Sequence, residues 1–194
     1  MNGAEIRTVR LSEIRGKENS LLASASKARR EKALCFRYLD DRLRCLAAGD
    51  MMRRYLPGFS EELLALGADG KPFLRNGVAF SISHGGNYIV LAWCEGIAGI
   101  GVDVEPIMDF AYYRDILPYA ATLQERVAIG DDASKAVRLW TRKESLYKSR
   151  GEGISDFREL PDVLEDNVFF GGMLCRLQSW EEDGHMFSIA LRGI

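Results

Sequence analysis

Two carboxylates interrupt an apolar segment near the middle of the chain. In GIAGIGVDVEPI, residues 96–107, Asp103 and Glu105 stand two residues apart among valines and isoleucines. In a β-strand such residues share a face, with backbones roughly 6–7 Å apart, and like charges beside a core need a positive partner. Because no Lys or Arg adjoins the pair, it suits a hard cation such as Mg²⁺, which prefers oxygen ligands. The alternative is that the pair marks the solvent face of an edge strand.

A second group of chemically capable residues lies in LWTRKESLYKSRGEGIS, residues 139–155. On a helix, Trp140, Glu144 and Lys148 lie at i, i+4 and i+8 and therefore share one face. One interpretation gives Glu144 to a metal or to proton transfer, and Lys148 to a phosphate. The other is an exposed ion pair, which contributes about 0.3–0.5 kcal/mol. The following Gly151–Gly153 predicts the end of the helix in a tight turn.

Three further features could bind an anion. In SISHGG, Ser83 and His84 precede two glycines, where exposed backbone N–H groups could hold a phosphate. In GKPF, Lys71 follows a predicted turn, and several arginines and lysines lie within residues 26–55. Each feature has an ordinary alternative: a turn histidine, an exposed lysine and a solvated basic helix face.

The elements that would position these residues follow from hydrophobic spacing and turn signals. Mixed strands and a few long helices predict an α+β fold, with the helices packed on antiparallel sheet. Strands are predicted at 4–11, in two parts of 77–96 joined at HGGN, at 99–105, and near 167–180 and 185–192 joined at EEDGH. Helices are predicted at 26–55, capped by Ser26, at 60–67 and at 132–149, with a turn and an extended piece at 68–74 and one helix in the irregular segment 108–130.

Composition excludes several classes of protein. The 194 residues are 47% hydrophobic and 28% charged, as in ordinary globular proteins, and the net charge of −2 gives no reason to expect nucleic acid or membrane binding. The N-terminus lacks the apolar segment of a signal peptide. Four cysteines without a CxxC pair predict neither a zinc site nor a disulfide framework, and we expect a cytoplasmic protein.

In order and spacing, these motifs resemble the 4'-phosphopantetheinyl transferase superfamily. The motifs are GKPF at 70–73, SISHGG at 81–86, GVDVE at 101–105 and WTRKESLYKSRGEGIS at 140–155. The chain looks like the larger, monomeric type, which activates synthetases such as surfactin synthetase. The resemblance implies two similar α+β halves, 1–98 and 99–194, each with a small, mainly antiparallel sheet and a long helix. A pseudo-two-fold axis would relate the halves, and coenzyme A would bind in the cleft between them.

The resemblance also implies a reaction and its catalytic residues. The 4'-phosphopantetheine arm of coenzyme A moves to a serine of a carrier protein, and 3',5'-ADP leaves. Asp103, Glu105 and Glu144 resemble the Mg²⁺ ligands, although Mn²⁺ takes the same oxygen ligands. Glu144 also resembles the base for the serine hydroxyl. Lys148 resembles the lysine that meets the pyrophosphate.

Coenzyme A contacts and the acceptor are implied in the same way. The residues that resemble coenzyme A contacts are Lys71, Ser83, His84 and Lys148, together with Arg29, Lys32 and Arg44 near the 3'-phosphate end. The acceptor would be an apo acyl carrier protein or peptidyl carrier protein, which commonly faces the segment 108–130. That segment lacks the family string F-[ST]-x-x-E in clean form, and only Glu125 after Thr122 resembles its glutamate.

Two rival hypotheses belong to other functional classes. One is a coenzyme A or carrier-protein binding module that has lost turnover, and the other is an unrelated α+β domain with solvent-facing carboxylates. The intact D-x-E and K-E-x-x-x-K motifs favour the active enzyme over the binding module, because loss of turnover usually reaches the ligands.

Overall fold

Two antiparallel sheets and two long helices make up most of the fold. The computed structural model describes residues 3–67, 70–151 and 157–193. Its strands are β1 (Glu5–Arg10), β2 (Leu64–Leu66), β3 (Pro72–Leu74), β4 (Ala79–Gly85), β5 (Tyr88–Cys94), β6 (Gly99–Pro106), β7 (Asn167–Phe170), β8 (Met173–Glu182) and β9 (His185–Arg192). Its α-helices are α1 (Leu11–Ile14), α2 (Glu18–Ser24), α3 (Lys27–Leu34), α4 (Leu39–Tyr55), α5 (Phe110–Arg114), α6 (Leu117–Ala120), α7 (Leu123–Ile129) and α8 (Ala133–Arg150).

The two sheets share one order of connection. The first sheet has the order β1-β5-β4, the second has the order β6-β9-β8-β7, and β2 pairs with β3 in a separate hairpin. In each sheet a strand is followed along the chain by a long helix, α4 or α8, and then by a hairpin whose second strand pairs with that first strand. All these pairs are antiparallel, which confirms the α+β class. The boundary between 98 and 99 and the pseudo-two-fold axis stay predictions.

The core consists of apolar layers on both sides of β5, in which every residue is buried. Ile89 and Leu91 pack with Leu43 and Met51 of α4. On the other side, Val90 and its neighbours pack against residues of β6 and β9, so the two sheets share a core. A further cluster packs α8 on β8 and β9. The second sheet is therefore covered by α8, as the first is by α4.

The predicted helix over 26–55 is two helices, α3 and α4, separated around Phe36. Ser26 caps α3 as predicted, accepting a hydrogen bond from the Arg29 N–H, and Tyr38 before α4 is extended. Phe36 and Leu39, which fit the helical spacing, are 38% and 42% exposed. Their apolar side chains do not favour a straight continuation, and the break lets α3 pack back on α4.

The prediction of a helix at 60–67 was wrong. Leu64–Leu66 form a strand paired with Pro72–Leu74. An eight-residue segment gains little after the cost of helix nucleation, whereas the hairpin buries Leu74. Residues 68–69 of the predicted turn lie outside the described residues.

Two other segments differ from the predictions in number of elements. The segment 108–130 contains three short helices, α5 to α7, instead of one. The segment 167–180 is a hairpin of β7 and β8, because Gly171 and Gly172 turn the chain. The remaining predicted strands and the helix at 132–149 are confirmed. Within the described ranges, the helices lack the length and apolarity needed to cross a bilayer.

Candidate active site

The acidic pair and the helix motif meet where α8 crosses β6. Gly101 permits this close approach, because a Cβ at that position would lie 1.8 Å from the carbonyl oxygen of Ser145. A side chain there would push α8 away from the strand. Asp103, two residues further along β6, therefore faces the part of α8 that carries Glu144 and Lys148.

A buried hydrogen-bonded cluster forms between β4, β6 and α8. The side chain of Asp103 is only 4% exposed. Its Oδ1 lies 2.6 Å from Lys148 Nζ and accepts a hydrogen bond of 2.7 Å from Ser83 Oγ. Lys148 Nζ also donates to Ser83 Oγ at 3.0 Å, but lies 3.8 Å from Glu144 Oε2. The solvent-face alternative is thus wrong for Asp103, and the short ion pair of Lys148 is with Asp103 rather than with Glu144.

Negative charge in this cluster is only partly compensated. Asp103 Oδ2 is buried and has no hydrogen-bond partner. Burial, and then the nearby Asp103, raise the pKa of Glu105 from 4.5 to about 7. Burial likewise raises the pKa of Glu144, against the opposing effect of Lys148. Lys148 therefore offsets one of three carboxylate charges, and the site favours a further cation.

Glu105→Gln is expected to stabilise the metal-free protein at pH 8 but not at pH 4. The unfolded chain releases this proton near pH 4.5 and the folded chain near pH 7, so the free energy of unfolding of the wild type falls between those values. Glutamine does not ionise and therefore avoids this fall in the free energy of unfolding, which we place at about 1 kcal/mol for a half-buried, solvent-screened group. Urea unfolding of both proteins in a chelator at pH 4, 6 and 8 measures the difference. A difference that stays constant with pH would contradict the prediction.

The side-chain positions of Asp103, Glu105 and Glu144 meet only part of what a bound cation needs. Among the described residues, no group of three or more His, Cys, Asp or Glu side chains is arranged to hold a metal ion. The unpartnered Asp103 Oδ2 and the raised pKa values of Glu105 and Glu144 are nevertheless features that a bound cation would offset. The three-carboxylate metal site stays a prediction.

Four of the predicted basic residues line one cavity of about 490 Å³, which we call the cationic cavity. They are Arg29, Lys32, Arg44 and His84. Arg44 donates to Asp41 Oδ1 and to the carbonyl oxygen of Gly86, both at 2.9 Å, which fixes it at the turn after β4. Partial burial and the nearby Arg44 lower the pKa of His84. The loosely predicted cations of α3 and α4 are therefore brought together with the histidine of SISHGG.

A second cavity of about 280 Å³ adjoins the cationic cavity on the side of Lys148. Lys71 and Lys148 line it, and it shares Gly70, Pro72 and Ile82 with the cationic cavity. The Lys71 ammonium donates to the carbonyl oxygens of Lys148 and, at 3.2 Å, of Ile100. Lys71 thus ties the β2–β3 hairpin to the end of α8. Gly151 ends α8 in the left-handed conformation as predicted, and residues 152–153 lie outside the described residues.

A third cavity of about 250 Å³ borders Glu105 and has aromatic walls. Trp140 of α8 and Tyr113 of α5 line it. Trp140 is held by a stacked contact with Phe157, with ring centroids 5.2 Å apart. The three cavities together border all of the predicted site residues except Ser83, Asp103 and Glu144, which lie in or beside the buried cluster.

Motif reasoning missed a second, fully buried ion pair. Lys143 Nζ lies 2.8 Å from Glu125 Oε2, and neither side chain is exposed. The glutamate oxygens also accept hydrogen bonds from the N–H groups of Thr122 and Val163, and Thr122 and Glu125 form a capping box at α7. The signal was present, because Lys143 follows Leu139 by four residues on the apolar face of α8.

Ser81 was also missed. It precedes Ser83 on the same face of β4, and its Oγ accepts a hydrogen bond of 3.1 Å from the N–H of Val102. Together the two serines fasten β4 to β6 at the site. The alternation of serines in SISHGG indicates a polar face, although only the fold shows what that face contacts.

Comparison with known proteins agrees with these motifs. The sequence model of the 4'-phosphopantetheinyl transferase superfamily matches residues 99–185, which include β6, α8 and most of the second sheet. A 4'-phosphopantetheinyl transferase of Bacillus subtilis is 30% identical over 152 residues, which cover 72% of this chain and 66% of that protein.

A second relative is the 4'-phosphopantetheinyl transferase psf-1 of Bacillus pumilus. It is 29% identical over 145 residues, which cover 66% of this chain and 58% of that protein. The chain therefore spans less than two thirds of the length of either relative. The buried D-x-E cluster, the family match over residues 99–185 and the two relatives lead to one conclusion: the chain is similar to the 4'-phosphopantetheinyl transferase superfamily.

Proposed function

We propose that this protein transfers the 4'-phosphopantetheine group of coenzyme A to a serine of an apo acyl or peptidyl carrier protein, releasing 3',5'-ADP in a Mg²⁺-dependent reaction. The observation that carries the proposal is the contact of Asp103 with Lys148 and Ser83, with one carboxylate oxygen left unpartnered. A pyrophosphate needs cations at its developing charge, and this cluster combines a lysine with carboxylates that favour a metal.

The two adjoining cavities support coenzyme A as the donor. The cationic cavity offers Arg29, Lys32 and Arg44 for a phosphate monoester at the adenosine 3' position. The second cavity leads past Lys71 to Lys148. A single donor could therefore place its terminal phosphate in one cavity and its pyrophosphate in the adjoining one.

The chemistry then falls to Glu144 and Lys148. The carrier serine oxygen forms a bond to the phosphorus that bears pantetheine, and the bond from that phosphorus to the ADP oxygen breaks. Glu144 takes the serine proton, and its raised pKa favours this role. Lys148 offsets the charge of the departing phosphate. Asp103, Glu105 and Glu144 would hold Mg²⁺ or Mn²⁺, which supplies charge neutralisation at the phosphate oxygens when bound.

We propose further that one chain forms a complete site and acts as a monomer. The cations come from α3, α4 and β4, and the carboxylates come from β6 and α8 of the same chain. The alternative is a binding module of the same fold without turnover. The raised pKa of Glu144 favours the enzyme, since a module that only binds coenzyme A has no need of a base.

Transfer to a carrier tests the proposal directly. The protein is incubated with coenzyme A, Mg²⁺ and an apo carrier protein, and the carrier mass is followed with and without excess chelator. We expect the mass of phosphopantetheine to be added only without chelator. Coenzyme A binding without transfer to any of several fatty-acid, polyketide and peptide carriers would favour the binding module.

The acceptor is proposed to dock on the exposed face of α6 and α7. Tyr119, Leu123 and Val127 are 72%, 70% and 77% exposed, and the last two lie one turn apart on α7. Exposed apolar side chains are typical of protein interfaces, and α7 packs against α8, which carries Glu144 and Lys148.

Leu123→Glu or Val127→Glu is expected to raise KM for the carrier about tenfold, because docking would bury an unpaired charge. KM for coenzyme A should not change. Phe169→Glu in β7, at a side chain that is also 70% exposed, is the matched control. Equal effects of all three substitutions would place the docking surface elsewhere.

A further inference from the structure

Gly49 occupies the middle of α4, where glycine is the poorest helix former after proline. Its lack of a side chain makes room for Arg29. A Cβ at position 49 would lie 2.9 Å from Arg29 Nε, 3.0 Å from Cγ and 3.1 Å from Cδ. Real Cβ atoms scarcely approach other atoms this closely, so the stem of Arg29 crosses α4 directly over this glycine.

The backbone that carries Arg29 is fixed independently of this crossing. Ser26 caps α3, and Ala33 of α3 packs in a buried cluster with Cys45 and Leu46 of α4. The position of the Arg29 guanidinium is therefore set by the path of its side chain over α4.

Arg29 lines the cationic cavity, and it also lines a smaller pocket that Gly49 borders. Within the described ranges Arg29 forms no ion pair, whereas Arg44 is paired with Asp41, and Arg53 and Arg54 are paired with Asp50. A planar guanidinium binds a phosphate through two parallel hydrogen bonds and needs a defined orientation to do so. An arginine whose path is defined and whose charge is unpaired is suited to this task.

We propose that Gly49 is a positioning residue that seats Arg29 for the terminal phosphate monoester of the donor, and that it thereby sets the preference for donors carrying this phosphate. The inference rests on the proposed function for the identity of the donor. It assigns the helix-interior glycine to recognition of the donor rather than to packing of the helix.

The test compares Gly49→Ala, Arg29→Ala and the double variant. Alanine favours the helix, so Gly49→Ala should keep or raise Tm, by about 2–4 °C if helix propensity alone acts. For each protein, kcat/KM is measured with coenzyme A and with 3'-dephospho-coenzyme A. We expect Gly49→Ala to lower the ratio of the two values about fivefold by raising KM for coenzyme A, with kcat little changed.

The double variant shows whether Gly49→Ala acts through the position of the Arg29 side chain or through a general effect on α4. In the Arg29→Ala background, Gly49→Ala should leave the donor ratio unchanged, because no side chain remains to be displaced. A Gly49→Ala protein with the wild-type donor ratio would overturn the inference, as would an equal effect of this substitution with and without Arg29.

Equilibrium binding distinguishes this inference from the proposed function. Adenosine 3',5'-bisphosphate and 5'-AMP are titrated into all four proteins by calorimetry, which requires no turnover. If the wild type fails to transfer but prefers the bisphosphate, and Gly49→Ala weakens that preference, the transferase proposal fails while the seating of Arg29 stands. If no preference for the bisphosphate exists, the inference fails.

Discussion

Glu144→Gln is expected to lower kcat for transfer about 10²–10⁴-fold, the usual contribution of a positioned general base. The substitution keeps the shape of the side chain and removes its charge. The fold should tolerate it, because within the described residues the polar contact of Glu144 is a 3.8 Å approach to Lys148, and burial already raises the pKa of Glu144. Carrier mass measured over time gives the rate, and circular dichroism checks the fold.

Two further variants sharpen this prediction. Glu144→Asp keeps the charge on a shorter side chain and should retain more activity than Glu144→Gln, while Glu165→Gln at an exposed position is the matched control. Raising Mg²⁺ should restore part of the rate of Glu144→Gln if the carboxylate mainly holds the metal, and none of it if the carboxylate mainly takes the proton. Transfer by Glu144→Gln at the wild-type rate would remove Glu144 from the mechanism.

Lys143→Met is expected to destabilise the protein by about 3–5 kcal/mol, the usual cost of breaking a buried ion pair from one side. Neither Lys143 nor Glu125 is exposed, and methionine would leave the carboxylate of Glu125 buried with only backbone N–H donors. The lysine has no alternative hydrogen-bond partner among the described residues. Urea unfolding at pH 7 measures the loss.

The control for this prediction lies on the same helix. Lys135→Met, at an exposed position of α8, should change the free energy of unfolding by no more than about 0.5 kcal/mol. Lys143→Met combined with Glu125→Gln should be more stable than Lys143→Met alone, since no buried charge is left uncompensated. Equal stability of Lys143→Met and Lys135→Met would show that the pair contributes nothing.

How much of this site the sequence predicts depends on the range of the interactions involved. The alternation in GVDVE correctly predicts a strand in which Asp103 and Glu105 share one face, because the two-residue period of a strand is a local property. The burial of Asp103 could not be predicted this way. It depends on β4 and α8. Ser83 of β4 and Lys148 of α8 contact Asp103, and the absence of a side chain at Gly101 lets α8 approach β6 closely.

The basic segment 26–55 likewise shows that local patterns do not predict interactions between elements. Its helical spacing is real, but the break near Phe36 arises from packing of α3 on α4, which no local pattern encodes. Similarly, the short segment before Gly67 has helical spacing, yet pairing with Pro72–Leu74 outweighs it. The apolar face of α8 indicates that Lys143 is buried, but its partner Glu125, eighteen residues away along the chain, is shown only by the fold.

The repeated connection of the two sheets bears on how such a site can evolve. In a dimer of identical subunits, a substitution in one long helix appears at once in its symmetry mate. Here α4 and α8 belong to one chain, so each can change without altering the other. Gly49 of α4 lies beneath Arg29, and α8 carries a glutamate and a lysine over a buried carboxylate. Because both helices belong to one chain, a single site can be cationic at one end and anionic at the other.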